Sequence, residues 1–388
     1  MNFHDFLGLI NTRILPFLLS IIGFGLLIVI HEFGHFLFCK VFGIYTPTFS
    51  VGFGPKLFEK KIGTTNFRLS KIPFGGYVEI AGLAEVGQGE QEFANATGDS
   101  SFSSKWYWQK FLVLCGGIIF NLLFAYIVFC SLFIIGDSSQ KNGIAITHTM
   151  KGSPSEVYGL HEGDLVLTVN NRALNAQDVK IPPQEILLEE IRANPNQEIT
   201  FIIERNETKI TLPILLASKL EGEKTIGSLG AGFAAVSPIK KLPFFQALSA
   251  GVMITNKYIY DIALSIKNLF AQRNLEGAGG PVMIIAHGFK TAQQGIMPFL
   301  IFLATMSITL ALFNLLPLGI TDGGQLFFAT VEAIIRRPAP EWLRIGVNVV
   351  SFGLFILLFV YLTYKDIANL FGGALASLYH KIAALFQK

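Results

Sequence analysis

Charge is scarce in this chain. Asp, Glu, Lys and Arg make up 15% of its 388 residues, against roughly 25% in an average soluble domain. The balance is close to neutral at +3, and no dense basic run occurs, so nucleic acid is not an expected partner. Cysteine is rarer still. Cys39, Cys115 and Cys130 are the only three, and none has CxxC spacing, which argues against a disulfide framework or a thiolate metal site. Internal repeats are lacking, and with them the usual mark of a transporter built from duplicated halves. The first apolar run follows Arg13 in the manner of a signal peptide but has no small-residue cleavage site, so it reads as a retained helix.

What the chain has instead is apolar length. Hydrophobic residues make up 51% of it, 36 of them Phe, and the mean hydropathy is +0.51. This is the composition of a membrane protein. Four stretches are long enough to cross a bilayer as helices: Ile14–Phe38, Phe111–Ile135, Phe299–Leu316 and Val347–Tyr364. The expected fold class is therefore a polytopic α-helical membrane protein with two β-rich insertions. The first insertion, residues 41–110 between spans at 1–40 and 111–135, carries short strands at Lys56–Ile62, Asn66–Ile72 and Tyr77–Ile80. The second, 141–218, alternates short β-like runs with one helical stretch near Gln184–Ala193, and is large enough to bury a core of its own. Residues 219–298 read as a linker with an amphipathic surface helix at Phe244–Phe270. A third span with its polar end covers 299–324, a fourth 347–364, and an amphipathic tail 365–388.

Lys40, Lys56, Lys60, Lys61, Arg68, Lys71, Lys105 and Lys110 crowd the first connection, and Arg336, Arg337 and Arg344 the last. The positive-inside rule assigns both to the cytoplasmic side, with the 141–218 module outside.

One pentapeptide carries chemistry. His31-Glu32-Phe33-Gly34-His35 lies at the end of a run with no charged residue from Ile14 to Ile30. Two imidazoles four residues apart share a helix face and can reach one metal ion, and the intervening Glu can serve as a base toward water there. Ionisable groups at such depth cost about 2.5–3.5 kcal/mol each even on the lenient insertion scale, and so mark function. A hydrolytic zinc site usually takes three protein ligands, and no other His lies in a span at matching depth. Asp322 is the best third candidate, beside Pro317, Gly319, Gly323 and Gly324, which interrupt the helix. Irregular backbone at membrane depth needs a protein-lined or wet cavity, so the interruption itself predicts one. Asn121 and Asn314 sit on the second and third spans. Each reads equally well as a contact to substrate backbone or oxyanion and as a helix–helix hydrogen bond. Phe74-Gly75-Gly76 reads by default as a tight turn.

With these residues in view, the chain resembles bacterial members of the site-2 protease family of intramembrane zinc metalloproteases, of the type that regulates sigma-E. His31–His35 matches the family's HExGH, Pro73–Val78 its PFGGYV loop, Gly117–Asn121 its GxxxN and Asn314–Gly323 its NxxPxPxxDG segment. Ser153-Pro154, Gly159–Asp164 and Val169–Asn171 look like a PDZ domain, and Gly280–Val282 like the family's GPV. Gly319 stands for the family's second Pro, Thr321 for a Leu and Ile118 for a frequent Pro. The resemblance implies one Zn2+ per chain on His31, His35 and Asp322, with Glu32 as general base. It also implies substrate contacts at Asn121, Asn314, Phe74, Gly75 and Gly76. The implied substrates are single-span membrane proteins already trimmed by a site-1-type protease, such as anti-sigma factors or remnant signal peptides. The implied setting is the bacterial inner membrane, with lipid as the surroundings. The rival expectation is a catalytically inactive, PDZ-bearing membrane scaffold.

Overall fold

The computed structural model describes residues 10–83, 92–137, 143–174, 183–205, 207–221, 224–236, 238–272 and 279–385. They fall into two units, one of Met1–Ser131 with Phe245–Lys388 and one of Leu132–Phe244.

The first unit opens with α1 (Leu15–Val41), preceded by a π-helical turn. Pro16 starts the helix without cost, because the first-turn N–H groups have no intrahelical acceptor. Strands β1 (Thr48–Ile62) and β2 (Thr65–Val78) follow, then α2 (Tyr107–Ile135). Both strands are longer than the short runs expected from sequence, and both are bent. The outer part of β1, Lys56–Ile62, pairs with 65–70, whereas Phe49, Ser50 and Val51 pair with Val78, Tyr77 and Gly76. The Gly76–Val78 segment thereby becomes an edge of the sheet. Phe49, Val78 and Ile80 bury themselves with Cys39 of α1 and Val113 and Leu114 of α2, which fixes the hairpin to both helices.

The second unit contains β3 (Gly143–Thr149), α3 (Pro154–Val157), β4 (Leu165–Val169), β5 (Arg172–Ala173), α4 (Pro183–Ala193) and β6 (Glu198–Arg205). Then come β7 (Thr208–Leu215), β8 (Ala217–Glu221), β9 (Lys224–Ser228) and β10 (Ala231–Val236). The main sheet runs β10-β3-β4-β6-β7, all antiparallel, with β5 paired to β4. Alternation explains its core. Ile199, Phe201 and Ile203 of β6 point one way and meet Ile186, Leu187 and Ile191 of α4. The sheet extends past residue 218, where the sequence suggested a linker, because β10 pairs with β3. Its run Ala231-Gly-Phe-Ala-Ala-Val is too small-residued to announce a strand. Asp164, 1% exposed, takes both guanidinium bonds of Arg205 at 2.7 Å, and Arg205 also reaches the carbonyl of Gly159.

The first unit resumes with α5 (Phe244–Gln272), α6 (Pro281–Gln294), α7 (Ile296–Asn314), α8 (Asp322–Ile335) and α9 (Glu341–Leu385). Among the described residues, the helices long and apolar enough to cross a membrane are Thr12–Val41, Tyr107–Ile135, Ile296–Asn314 and Trp342–Ala368. The protein is accordingly a membrane protein carrying a β-rich unit. Helix α5 is not among the four. It lays Ala247, Gly251 and Thr255 against α2, where Tyr258 stacks on Phe129 at 5.1 Å. Three other boundaries differ from the sequence reading. The supposed linker holds α6, capped by the buried Asp366 of α9, which accepts from the N–H groups of Gly280 and Met283 at 3.0 and 2.9 Å. Within residues 299–324 the expected interruption is present, and Asp322 starts a new helix instead of ending the third span, since the chain turns between Asn314 and Asp322. The 365–388 tail is no separate element up to residue 385, because α9 runs on through Tyr364 with no Pro to stop it.

Removing Arg205 leaves a buried, unpaired carboxylate, a change that costs about 3–5 kcal/mol. Arg205→Ala is expected to make the 143–236 region protease-sensitive while metal content stays unchanged; limited proteolysis with metal analysis reads both.

Candidate metal centre

Helix α1 brings His31 and His35 to its buried side, 7% and 3% exposed. It can do so because it meets α2 backbone to backbone. A Cβ on Gly34 would stand 2.1 Å from the carbonyl oxygen of Gly116, and one on Gly117 only 2.4 Å from Cε1 of His31 and 2.6 Å from Nε2 of His35. Any side chain at Gly34 would part the helices, and any at Gly117 would fill the space of the rings. The Gly residues of the two sequence motifs thus occupy opposite sides of one contact.

The third group arrives from the helix break. The hydroxyl of Thr321 accepts from the N–H of Gly324 at 3.3 Å and so caps α8, which makes Asp322 its first residue. An aspartate there is favoured by the helix dipole. Its Oδ2 lies 3.1 Å from Nε2 of His31 and 3.5 Å from Nε2 of His35, and the two ring nitrogens are 3.3 Å apart. Among the described residues this is the one group of three or more His, Cys, Asp or Glu side chains able to hold a metal ion. Yet Oδ2 is buried and accepts no hydrogen bond. Three lone-pair atoms converging within 3.5 Å, one of them without a hydrogen-bond donor, make a cation site rather than a polar network. The spacing suits zinc: a tetrahedron with arms of about 2.0–2.1 Å has edges of about 3.3 Å.

Outer contacts set the tautomers. Nδ1 of His35 is 2.7 Å from the carbonyl of Val113, to which it can only donate, so Nε2 keeps its lone pair for a metal. Nδ1 of His31 faces the amide of Asn121, with Nδ2 at 3.2 Å, while Oδ1 of that fully buried amide has no partner. A half-turn of the isosteric amide lets Oδ1 accept from Nδ1–H and frees Nε2 of His31 in the same way. The main chain of Asn121 is held in turn by the hydroxyl of Ser307 at 2.8 Å.

Glu32, next to His31, is half-buried, and its Oε2 accepts from the N–H of Val78 at 3.2 Å. That N–H leaves the hairpin edge on the side away from β1, since the next residue, Glu79, donates to Thr48 instead. The hairpin's hold on Glu32 was not foreseen from sequence; the PFGGYV match was the only signal of it. Gly75 and Gly76 are buried near this edge, and the side chain of Phe74 lies outside the described residues. Asn314 is the last residue of α7, and no described hydrogen bond joins it to the triad.

A family model described as peptidase family M50 matches residues 19–360, nearly the whole chain. The chain belongs to peptidase family M50. It is 30% identical over 353 residues to "Putative zinc metalloprotease CPE1693" of Clostridium perfringens, spanning 90% of this chain and 97% of that one. It is 26% identical over 428 residues to "Probable protease eep" of Enterococcus faecalis, spanning 90% and 98%. The M50 match embraces all four candidate ligand and base residues, His31, Glu32, His35 and Asp322.

Two variants follow from this geometry. Gly117→Ala is expected to purify with little or no zinc, as read by elemental analysis. Asn121→Leu should keep the fold but bind zinc about 10- to 100-fold more weakly, as measured by competition with a chromogenic chelator.

Proposed function

We propose that this family M50 chain is an intramembrane zinc endopeptidase that cuts within the membrane-spanning segments of pre-trimmed single-span proteins. The observation that carries the reading is the meeting of His31, His35 and Asp322, with ligand atoms 3.1–3.5 Å apart, beside Glu32 on the same helix turn. One Zn2+ held by these three residues would supply a water of lowered pKa and would polarise the scissile carbonyl.

The chain's own groups do the rest. Glu32 takes the proton of the attacking water and returns it to the leaving amine. The 3.2 Å bond from Val78 keeps its carboxylate from swinging away. Asp322 and the two neutral imidazoles bring one negative charge to a dication, so the loaded site is only singly positive in an apolar surround. Asn121 holds His31 in the ligating tautomer, and Asn314 is assigned to substrate backbone farther along the same path.

A helical substrate hides its amides and must be unwound before attack. The Gly76–Val78 edge supports a route: an extended segment can add to it as another strand, through backbone bonds that ignore side-chain identity. Phe74-Gly75-Gly76, expected as a tight turn, lies within β2 and runs into that edge, with Gly75 at a φ of 103°. Loop charges support an active site near the cytoplasmic face of a bacterial inner membrane, with the β-rich unit outside. That unit is read as a PDZ-like module that selects substrates shortened by an upstream site-1-type protease; anti-sigma factors and remnant signal peptides fit the description.

The test is cleavage of a tagged single-span reporter by purified protein in detergent. Glu32→Gln is expected to retain about one zinc and to lose activity by about a hundredfold to ten-thousandfold. Equal cutting by wild type and variant would remove Glu32 from the chemistry, and a wild type devoid of zinc would remove the centre.

A further inference from the structure

A cavity opens alongside α8. Its volume is about 840 Å³, and it is walled by the start of α2, by Gly319, by α8 from Gln325 onward, by the start of α9 and by residues near Gly82 and Ala94. Its charge is lopsided. Lys110, Arg336, Arg337 and Arg344 line it, and among the described residues of the lining Glu332 is the one carboxylate. That carboxylate is already engaged, binding Arg344 and accepting from the N–H of Ala339 at 2.7 Å. Four cations gathered round an open volume repel one another.

The cations are also held in place. Arg336 ends α8 in the left-handed conformation, with φ of 57°, and Pro338 and Pro340 stiffen the turn that follows. Through Ala339, Glu332 ties that turn back to its own helix. Arg344 lies over the ring of Phe328 at 6.0 Å. Beside these charges the walls are apolar, with Leu114, Phe328 and Ile345. The cavity is therefore amphipathic, with cations on one part of its wall and hydrocarbon on another.

Its depth is marked by tryptophan. The chain has three, at 106, 108 and 342. They are 76%, 55% and 74% exposed, and they stand at the first turns of the second and fourth candidate spans. Exposed Trp at span ends sits at the headgroup level of a bilayer. Tyr107, between two of them, lines the cavity and bonds Thr330 of α8 at 2.9 Å. Guanidinium groups match phosphate oxygens in pairs, and basic pockets between membrane helices take anionic headgroups.

We propose that this cavity binds the phosphate of an anionic phospholipid. Lys110, Arg336 and Arg337 hold the phosphodiester, and Leu114, Phe328 and Ile345 pack against the acyl chains. The cavity's lining includes none of His31, His35 and Asp322, but it shares α8 with the last of them. Asp322 opens α8, and Glu332 and Arg336 lie at its other end, so a bound lipid braces the element that presents the third ligand.

The experiment is native mass spectrometry of the full chain in detergent, titrated with phosphatidylglycerol or with phosphatidylcholine of the same acyl chains. Wild type is expected to bind phosphatidylglycerol at least tenfold more tightly. Lys110→Gln combined with Arg337→Ala should lower that affinity about tenfold or more. Lys60→Ala combined with Lys61→Ala removes the same charge from the exposed end of β1 and should leave it unchanged. Arg336→Asn, which tolerates the left-handed backbone, is a second single-site variant expected to weaken binding. Zinc content of each variant reports that the fold has survived. Equal retention of the two lipids, or equal losses in the two double variants, would overturn the proposal. A third arm adds inorganic phosphate alone. Saturable binding of phosphate with no gain from the acyl chains would assign the site to a soluble anion and overturn the lipid.

Discussion

A side chain at residue 34 would strike the carbonyl of Gly116, and one at residue 117 would strike the rings of His31 and His35. The metal centre depends on the absence of both. Only with α1 and α2 at this separation can Nδ1 of His35 reach the carbonyl of Val113 and the amide of Asn121 reach Nδ1 of His31. Those bonds fix the aim of both rings, and the one to Val113 leaves Nε2 of His35 with its lone pair. The same contact excludes lipid and water from around the rings, which strengthens every electrostatic interaction among them.

The carboxylate that completes the set poses the opposite difficulty. A buried charge in an apolar setting is costly, and Asp322 is given compensations of three kinds. It starts a helix, where the dipole favours an anion; Thr321 caps the turn ahead of it; and two imidazoles face it at 3.1 and 3.5 Å. None of these supplies its buried Oδ2 with a hydrogen bond, and that oxygen is left for a cation. The break between α7 and α8 is thus a device for presenting one oxygen at depth.

The hairpin links this centre to whatever enters it. Alternation along the Gly76–Val78 edge sends one N–H, that of Glu79, into the sheet and its neighbour, that of Val78, outward to Glu32. Glu32 is therefore held by the same edge that, on the proposed reading, an extended peptide would join. At the other end of α8, Glu332 anchors a turn rich in arginine. A single 14-residue helix in this way joins the metal ligand to a cationic cavity.

The sequence by itself determined the apolar spans and the His31-Glu32-His35 pattern on one helix turn, and it marked Asp322 as the candidate third ligand. Hydrophobic length and i, i+4 spacing are local properties, legible without a fold. The clustering of Pro and Gly around Asp322 was legible for the same reason. What only tertiary structure decided was who touches whom. Asn121 read equally as a substrate contact or a helix–helix bond, because a polar residue in a span announces the need for a partner but not the partner; the fold supplied His31. The strand at Ala231–Val236 was illegible because its small residues owe their conformation to pairing with β3, some 80 residues earlier. Four cations that looked like ordinary loop charges became one site only when the turn after α8 met the start of α2. Local chemistry is written in the chain; convergence depends on contacts between residues far apart in it.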